Sequence, residues 1–249
     1  CSDRIRLMRG DNVQPLLKVS SVDAGYGKIQ ILRDVSLEIN RGEFVCLVGA
    51  NGAGKTTTLR TISGFLKPSS GSVVLDGQPI AGEPPEEISR MGVSLVSEDL
   101  NLFANMTVQE NLQLGAISLQ DKQAKAEAFD FVYEVFPRLG ERTRQLAGTM
   151  SGGERKMLAI ARGLMSWPNL ILVDEPSLGL APQLASEVFK ALQRLQQREV
   201  TILLVEQSVR VALRITDRAY VLENGRIVLE GKSADLHADE RVRSAYIGS

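Results

Sequence analysis

The chain has 249 residues, 43% of them hydrophobic and 24% charged, with 29 Lys plus Arg against 30 Asp plus Glu. That is enough apolar material for one large domain or two small ones, and a net charge of −1 offers no sequence-wide basic field, so no nucleic-acid partner is expected. No apolar run reaches the ~18–20 residues of a membrane span, no secretory signal is visible, and two cysteines make neither a disulfide framework nor a metal spacing, so a cytosolic chain is expected.

In chain order, Cys1–Gln14 is polar, Arg-rich and aperiodic, which predicts a mobile tail. Leu16–Val22 and Val35–Ile39 read as strands, the second by its alternation of Val35, Leu37 and Ile39 with Ser36 and Glu38. Between them, Gly25-Tyr26-Gly27 is either a hairpin corner or an aromatic plate for stacking a base. The apolar run Phe44–Val48 leads into Gly49-Ala50-Asn51-Gly52-Ala53-Gly54-Lys55-Thr56, which fits the P-loop pattern, and Leu59–Phe65 continues as its helix. Val73–Leu75, bounded by Ser69-Ser70-Gly71 and Asp76-Gly77, predicts a small hairpin. A short helix over Glu86–Arg90 and a short buried strand over Gly92–Val96 follow.

From Ser97 to about Ser166 the pattern is helical. Phe129, Val132, Tyr133 and Phe136 form one apolar stripe, and Met157, Ile160, Ala161 and Leu164 another, both facing a core. Strands return at Leu170–Val173 and Thr201–Val205. Each holds four continuous apolar residues bounded by polar ones, Asp174-Glu175 after the first and Glu206-Gln207 after the second, as in a parallel strand buried on both faces. The helix carrying Leu184, Val188, Leu192 and Leu195 joins them into a strand–helix–strand unit. Asn224-Gly225 predicts a hairpin between Ala219–Leu222 and Ile227–Glu230. The tail from Ser233 to Ser249 looks helical and polar, and its His237 is expected on the solvated surface.

Three stretches carry chemistry. Glycines 49, 52 and 54 let a backbone aim N–H groups at phosphate oxygens, Lys55 reaches the β- and γ-phosphates, and Thr56 offers a hydroxyl to Mg²⁺. Ligands of open α/β sheets lie beyond the carboxyl ends of the strands, which places Asp174 and Glu175 beside that loop. Asp174 suits the Mg²⁺ shell, and Glu175 suits orienting or deprotonating a water. Ser151-Gly152-Gly153-Glu154 heads the second apolar helix and reads as a further anion site. A plain N-cap explains Ser151 but not the paired glycines.

These motifs, in this order and spacing, resemble the ATP-binding subunits of ABC transporters over nearly the whole chain, from about Leu16 to Gly248. Gly49–Thr56 is similar to Walker A, Leu170–Glu175 to Walker B, Ser151–Glu154 to the signature motif, and Tyr26 to the A-loop aromatic. Ala50–Ala53, Gly148–Ser151, Pro176–Pro182, Val205–Gln207 and Val221–Arg226 resemble the smaller ATPase subunit of branched-chain amino acid importers. Urea and amide importers belong to the same group.

The resemblance implies an α/β fold: a P-loop NTPase core with a parallel sheet, an N-terminal antiparallel β-subdomain, and a helical subdomain inserted at about 97–166. A single ATPase domain over 15–249 would follow the tail. It implies ATP and Mg²⁺ as cofactors. ATP would touch Tyr26, Gly49, Asn51, Gly52, Ala53, Gly54, Lys55, Thr56 and Thr57 of one chain and Ser151, Gly152, Gly153 and Glu154 of its partner. Thr56, Glu98 and Asp174 would serve the metal, and Glu175 and Gln207 catalysis. The partner would be a second ATPase subunit, itself or a sister, in a head-to-tail dimer. The dimer would sit on transmembrane permease subunits at the cytoplasmic face of the membrane, and a periplasmic or extracellular solute-binding protein would engage indirectly. Three positions depart from the family pattern: Glu98 stands where glutamine is usual, Leu180 where aspartate is usual, and Gln207 where histidine is usual. A regulatory GTPase would need a guanine-reading N-K-x-D, which is absent, and a small-molecule kinase would leave Ser151–Glu154 unexplained.

Overall fold

The computed structural model describes residues 14–242. The expected N-terminal tail up to residue 13 and the end of the chain from residue 243 lie outside the described residues. The strands are β1 (Leu17–Tyr26), β2 (Ile29–Ile39), β3 (Phe44–Val48), β4 (Ser70–Leu75), β5 (Gln78–Pro79), β6 (Val93–Val96), β7 (Leu170–Asp174), β8 (Thr201–Glu206), β9 (Arg218–Glu223) and β10 (Arg226–Lys232). The helices are α1 (Lys55–Ile62), α2 (Pro85–Arg90), α3 (Val108–Gly115), α4 (Lys122–Val135), α5 (Pro137–Glu141), α6 (Gly152–Leu164), α7 (Pro182–Gln197), α8 (Val209–Ile215), α9 (Ser233–Ala238) and α10 (Glu240–Val242).

One sheet has the order β2-β1-β4-β5 and is antiparallel, and the other has the order β10-β9-β3-β8-β7-β6. In the second, β9, β3, β8, β7 and β6 run parallel, and only the edge strand β10 is antiparallel. This is the α/β architecture that the sequence implied. The continuous apolar runs are explained by burial on both faces. Phe44, Cys46, Val48, Ile171, Val173, Ile202 and Leu204 enter a core with α6, α7 and α8. Their alternates Val45, Leu47, Leu170, Leu172, Leu203 and Val205 enter a second core with the antiparallel sheet and α1. No position on β3 is left for a polar side chain, and burial pushes the Cys46 thiol up to about 12.

Four helices, α3 to α6, lie between β6 and β7. Along α4 the buried stripe is Ala128, Val132 and Val135, whereas Phe129 and Tyr133 are half-buried and pack ring to ring at 5.8 Å. Phe136 is buried at the end of the helix, and Phe129 and Tyr133 pack against the same core, so the expected stripe does face it. Helix α6 is buried well beyond its expected stripe, including Leu158 and Ala159, and shares its core with β3 and β7.

The β9–β10 hairpin turns at Asn224-Gly225 as predicted, with φ of 47° and 79°. It also does something the sequence did not announce. The Gly225 N–H donates to the Ala53 carbonyl of the P-loop at 2.9 Å, and the Gly225 carbonyl accepts the Arg33 N–H of β2 at 2.7 Å. A Cβ on Gly225 would lie 1.8 Å from the Ile31 carbonyl oxygen. One residue, through its two flanking peptide groups, thus bolts the P-loop to the antiparallel sheet. Helix α9 packs on α8, β9 and β10. His237 is half-buried there with its Nε2 shielded and unpartnered, so the expectation of a solvated surface histidine is corrected.

Gly225→Ala is expected to destabilise by more than ~2 kcal/mol, lowering Tm by at least about 4 °C, because it combines a left-handed φ with a backbone clash. Gly27→Ala, at φ 59° with nothing within 4 Å of the added carbon, should cost only about 1 kcal/mol. Differential scanning calorimetry of the two variants checks the ranking.

Candidate active site

Because β3, β8 and β7 are parallel neighbours, their carboxyl ends open at one edge. Val48 is in register with Glu206, and Asp174 with Val205, so three chain reversals meet: the P-loop after β3, Glu206-Gln207 on β8, and Asp174-Glu175 on β7. Gly49 is required at the first reversal, since a Cβ there would lie 2.3 Å from the Leu222 carbonyl oxygen. Gly54, at φ 111°, delivers the chain into α1, whose first residue is Lys55. The Thr58 hydroxyl bonds back to the Gly54 carbonyl at 3.0 Å and firms that first turn.

Lys55 is buried, and its Nζ donates to the carbonyls of Gly49 (2.9 Å) and Ala50 (3.1 Å) and pairs with Glu175 Oε1 at 3.0 Å. The structure therefore brings the P-loop cation and the carboxylate after β7 into direct contact. Glu175 has a left-handed backbone, φ 44°, its N–H bonded to the Val205 carbonyl at 2.9 Å. Asp174 is buried, and its Oδ1 has no hydrogen-bond partner. Burial, against the relief given by the Thr56 hydroxyl, pushes its carboxyl up to about 6, and the Glu175 and Glu98 charges add to the rise.

An orphaned, buried carboxylate oxygen beside a threonine hydroxyl is the donor set a hard divalent cation takes up. Among the described residues no group of three or more His, Cys, Asp or Glu could hold a metal alone.

Two residues missed from the sequence complete the cluster. Glu206 is buried. Its Oε1 accepts the Ser177 N–H (3.1 Å), and its Oε2 accepts the Ser177 hydroxyl (3.0 Å) and the Gln207 N–H (3.2 Å). Burial raises its pKa, and those bonds oppose the rise. Lys156 of α6 is also buried and donates to the Glu175 carbonyl at 2.9 Å. Burial lowers its pKa against the field of Glu206, Glu98, Glu175 and Asp174. A carboxylate closing a buried strand was the available signal for Glu206. Lys156 sits inside an apolar stripe and gave none.

The remaining sequence candidates lie at the margins. The Gln207 side chain is exposed, and its described bond is the backbone one to Glu206. Glu98 is exposed on the wall of a cavity of about 350 Å³ that it shares with Arg155, Lys156 and Leu178–Leu180. Tyr26 closes β1, is 43% exposed, and its hydroxyl accepts from Arg60 of α1 at 3.3 Å. Asn51 and Gly52 are exposed on the P-loop, whereas Ala53 and Thr57 are buried beneath it.

Ser151 caps α6 in a full capping box. Its hydroxyl accepts the Glu154 N–H at 3.3 Å, and Glu154 Oε2 accepts the Ser151 N–H at 2.9 Å. Those Ser151 bonds and the Arg142 charge, 2.8 Å away, hold the Glu154 carboxyl below its usual range. The paired glycines have a packing reason as well. A Cβ on Gly152 would press on Leu180 at 3.3 Å, and one on Gly153 on Leu184 at 3.1 Å. Leu180, where the family usually has aspartate, thus packs against the start of α6.

Residues 32–178 match the ABC transporter family, and the chain belongs to it as an ATP-binding cassette. Within that class it is 48% identical over 233 residues to BraG, a high-affinity branched-chain amino acid transport ATP-binding protein of Pseudomonas aeruginosa, covering 94% of this chain and 100% of BraG. It is 32% identical to LivG of Escherichia coli, a protein of the same description, over 94% of this chain and 98% of LivG. An ATP-binding cassette of an ABC transporter solved in its ADP conformation superposes with a TM-score of 0.82 at 29% identity, covering 95% and 100% of the two chains. A dimeric cassette in a post-hydrolysis state, bound to ADP and Pi, gives 0.74 at 26% identity over 87% and 98%.

The Asp174 carboxyl yields a signed pH prediction. Between about pH 4 and 6 the folded carboxyl keeps a proton that the unfolded one has released, so stability falls as pH rises through that window. Asp174→Asn removes this penalty. In the absence of Mg²⁺ and nucleotide it should stabilise by about 3 kcal/mol at pH 7.5 and roughly half that at pH 5. Urea unfolding at the two pH values measures the difference, and a pH-independent difference would contradict it.

Proposed function

We propose that the chain is the ATP-hydrolysing subunit of an ABC importer for branched-chain amino acids. The observation that carries the catalytic part is the meeting of Lys55, Asp174 and Glu175 at adjacent ends of parallel strands, with Lys55 already ion-paired to Glu175. The 48% identity to BraG along its entire length carries the substrate class.

In this reading the N–H groups of the loop from Gly49 to Thr57 and the Lys55 ammonium bind the ATP phosphates, which compete with Glu175 for Lys55. Glu175, released from that pair, orients a water and accepts its proton as oxygen attacks the γ-phosphorus and the bond to the ADP oxygen breaks. Thr56, Asp174 and Glu98 would hold Mg²⁺, which supplies charge neutralisation to the phosphates. Tyr26 offers its exposed ring to the adenine, and Gln207 a neutral amide donor to the γ-phosphate. Ser151, Gly152, Gly153 and Glu154, carried on the helical segment 97–166, serve the ATP of a partner subunit in a head-to-tail dimer. Exposure of Ser151 and Gly152 at the start of α6 supports this.

Among the described residues no helix is long and apolar enough to cross a membrane. Attachment to the cytoplasmic face would therefore come through the permease subunits, with a solute-binding protein acting from the far side.

Glu175→Gln tests the reading. ATP affinity should persist, hydrolysis should fall at least a hundredfold, and ATP should hold the variant as a dimer in size-exclusion chromatography. Hydrolysis at the parent rate would remove Glu175 from the mechanism. Contribution across the interface is tested by mixing. Lys55→Ala and Ser151→Arg should each be inactive alone, whereas their mixture, with mixed dimers verified, should regain activity from one intact site per mixed dimer. A mixture as inactive as its components would contradict the head-to-tail arrangement.

A further inference from the structure

Glu175 is held in a conformation that its own chemistry disfavours. A non-glycine residue at φ 44° costs of order 1 kcal/mol or more and persists only where the surroundings over-determine it. Four bonds do so here. The Glu175 N–H is taken by Val205, its carbonyl closes a local turn with the Leu178 N–H at 3.1 Å, and Glu206 grips Ser177 through both the N–H and the hydroxyl. All of these lie within the β7 and β8 ends and the loop that follows β7. The remaining lone pair of the Glu175 carbonyl takes Lys156 Nζ, which comes from a different layer, the interior of α6.

A lysine at that place is otherwise unfavourable. Lys156 is 7% exposed among Met157, Leu158 and Ala159, where an aliphatic side chain would pack with no desolvation cost. Its ammonium faces the carboxylates of Glu206, Glu98, Glu175 and Asp174, and its one described hydrogen bond is to the backbone carbonyl, not to any of them. The geometry thus spends the cation on fixing a peptide orientation.

We propose that Lys156 is a positioning residue for hydrolysis: by clamping the Glu175 carbonyl it sets the left-handed backbone from which the Glu175 carboxylate is aimed. The proposal rests on the reading of Glu175 as the group that activates water. Lys156 also lies five residues from Ser151 on one rigid helix. The clamp therefore links the carboxylate serving a chain's own ATP to the helix start that the chain lends its partner. Any tilt of α6 on engaging the partner's nucleotide reaches Glu175 through this bond.

The test uses the full chain with Lys156→Met, Lys156→Ser and Lys156→Arg, and Glu175→Gln run alongside. For each, kcat and KM for ATP are measured, together with ATP affinity by direct titration. Lys156→Met keeps the bulk and removes the donor. It should lower kcat tenfold or more while KM and ATP affinity stay within twofold, because Lys55 and the P-loop are untouched. Lys156→Ser, which admits water, should show the same split and carries the test if the Met variant does not fold. Lys156→Arg retains a cationic donor and should stay within about threefold of the parent kcat.

A kcat within twofold of the parent in Met or Ser, while Glu175→Gln is inactive, overturns the clamp and leaves the catalytic reading standing. So does a parallel loss of ATP affinity, which marks a purely structural lysine, or an Arg variant as slow as Met. Parent-rate hydrolysis by Glu175→Gln overturns both readings together.

Discussion

Charge crowding at the carboxyl edge of the parallel sheet is the constraint on which the site depends. Strands buried on both faces can place polar groups only at their ends, so Asp174, Glu175 and Glu206 arrive together with Glu98 nearby. Two lysines answer them. Lys55 rises from the P-loop, and Lys156 enters from α6. Glu206 is solvated in part by the hydrogen bonds it accepts, and Glu175 is paired with Lys55, which leaves Asp174 with an unpartnered oxygen and a raised pKa. Ordinary core packing does not retain such an oxygen without compensation, and in the proposed function a cation shared with the nucleotide phosphates would supply it.

The same edge explains why the P-loop needs support from afar. Its glycines give up side-chain packing to expose peptide groups, so its position is fixed by neighbours. Leu222 lies under Gly49, and Leu32 and Leu222 under Gly54, while Gly225 bonds to Ala53. The antiparallel sheet helps to hold the P-loop in this sense, since β2 meets the carbonyl of the same Gly225 through the Arg33 N–H.

How much of this was legible depended on whether a feature repeats locally. The buried strands announced themselves because burial on both faces forces unbroken apolar runs such as Leu170–Val173. The hairpin at Asn224-Gly225 was readable because two consecutive left-handed residues demand that dipeptide. Lys55, Asp174 and Glu175 were readable from motif and strand end together, and the structure does set Lys55 against Glu175. What escaped is long-range. Nothing near Lys156 indicates that its ammonium crosses to Glu175, and the Gly225–Ala53 bond joins residues far apart in sequence. The paired glycines at 152 and 153 were read as evidence for an anion. Leu180 and Leu184 supply a steric reason that only the packed structure reveals. His237 was misjudged because a polar tail sequence gives no hint that Leu236 beside it docks into the core.

The bond between Gly225 and Ala53 also bears on how the protein is made. The phosphate loop is translated well before Gly225, the residue that fixes it, because β6, β7, β8 and β9 of the parallel sheet lie between them in the chain. An emerging chain therefore carries a glycine-rich loop without its tether until residue 225 is free to fold back. Premature termination before the β9–β10 hairpin would leave that loop unmoored, so such fragments should fail to capture nucleotide even though every residue of the loop is present.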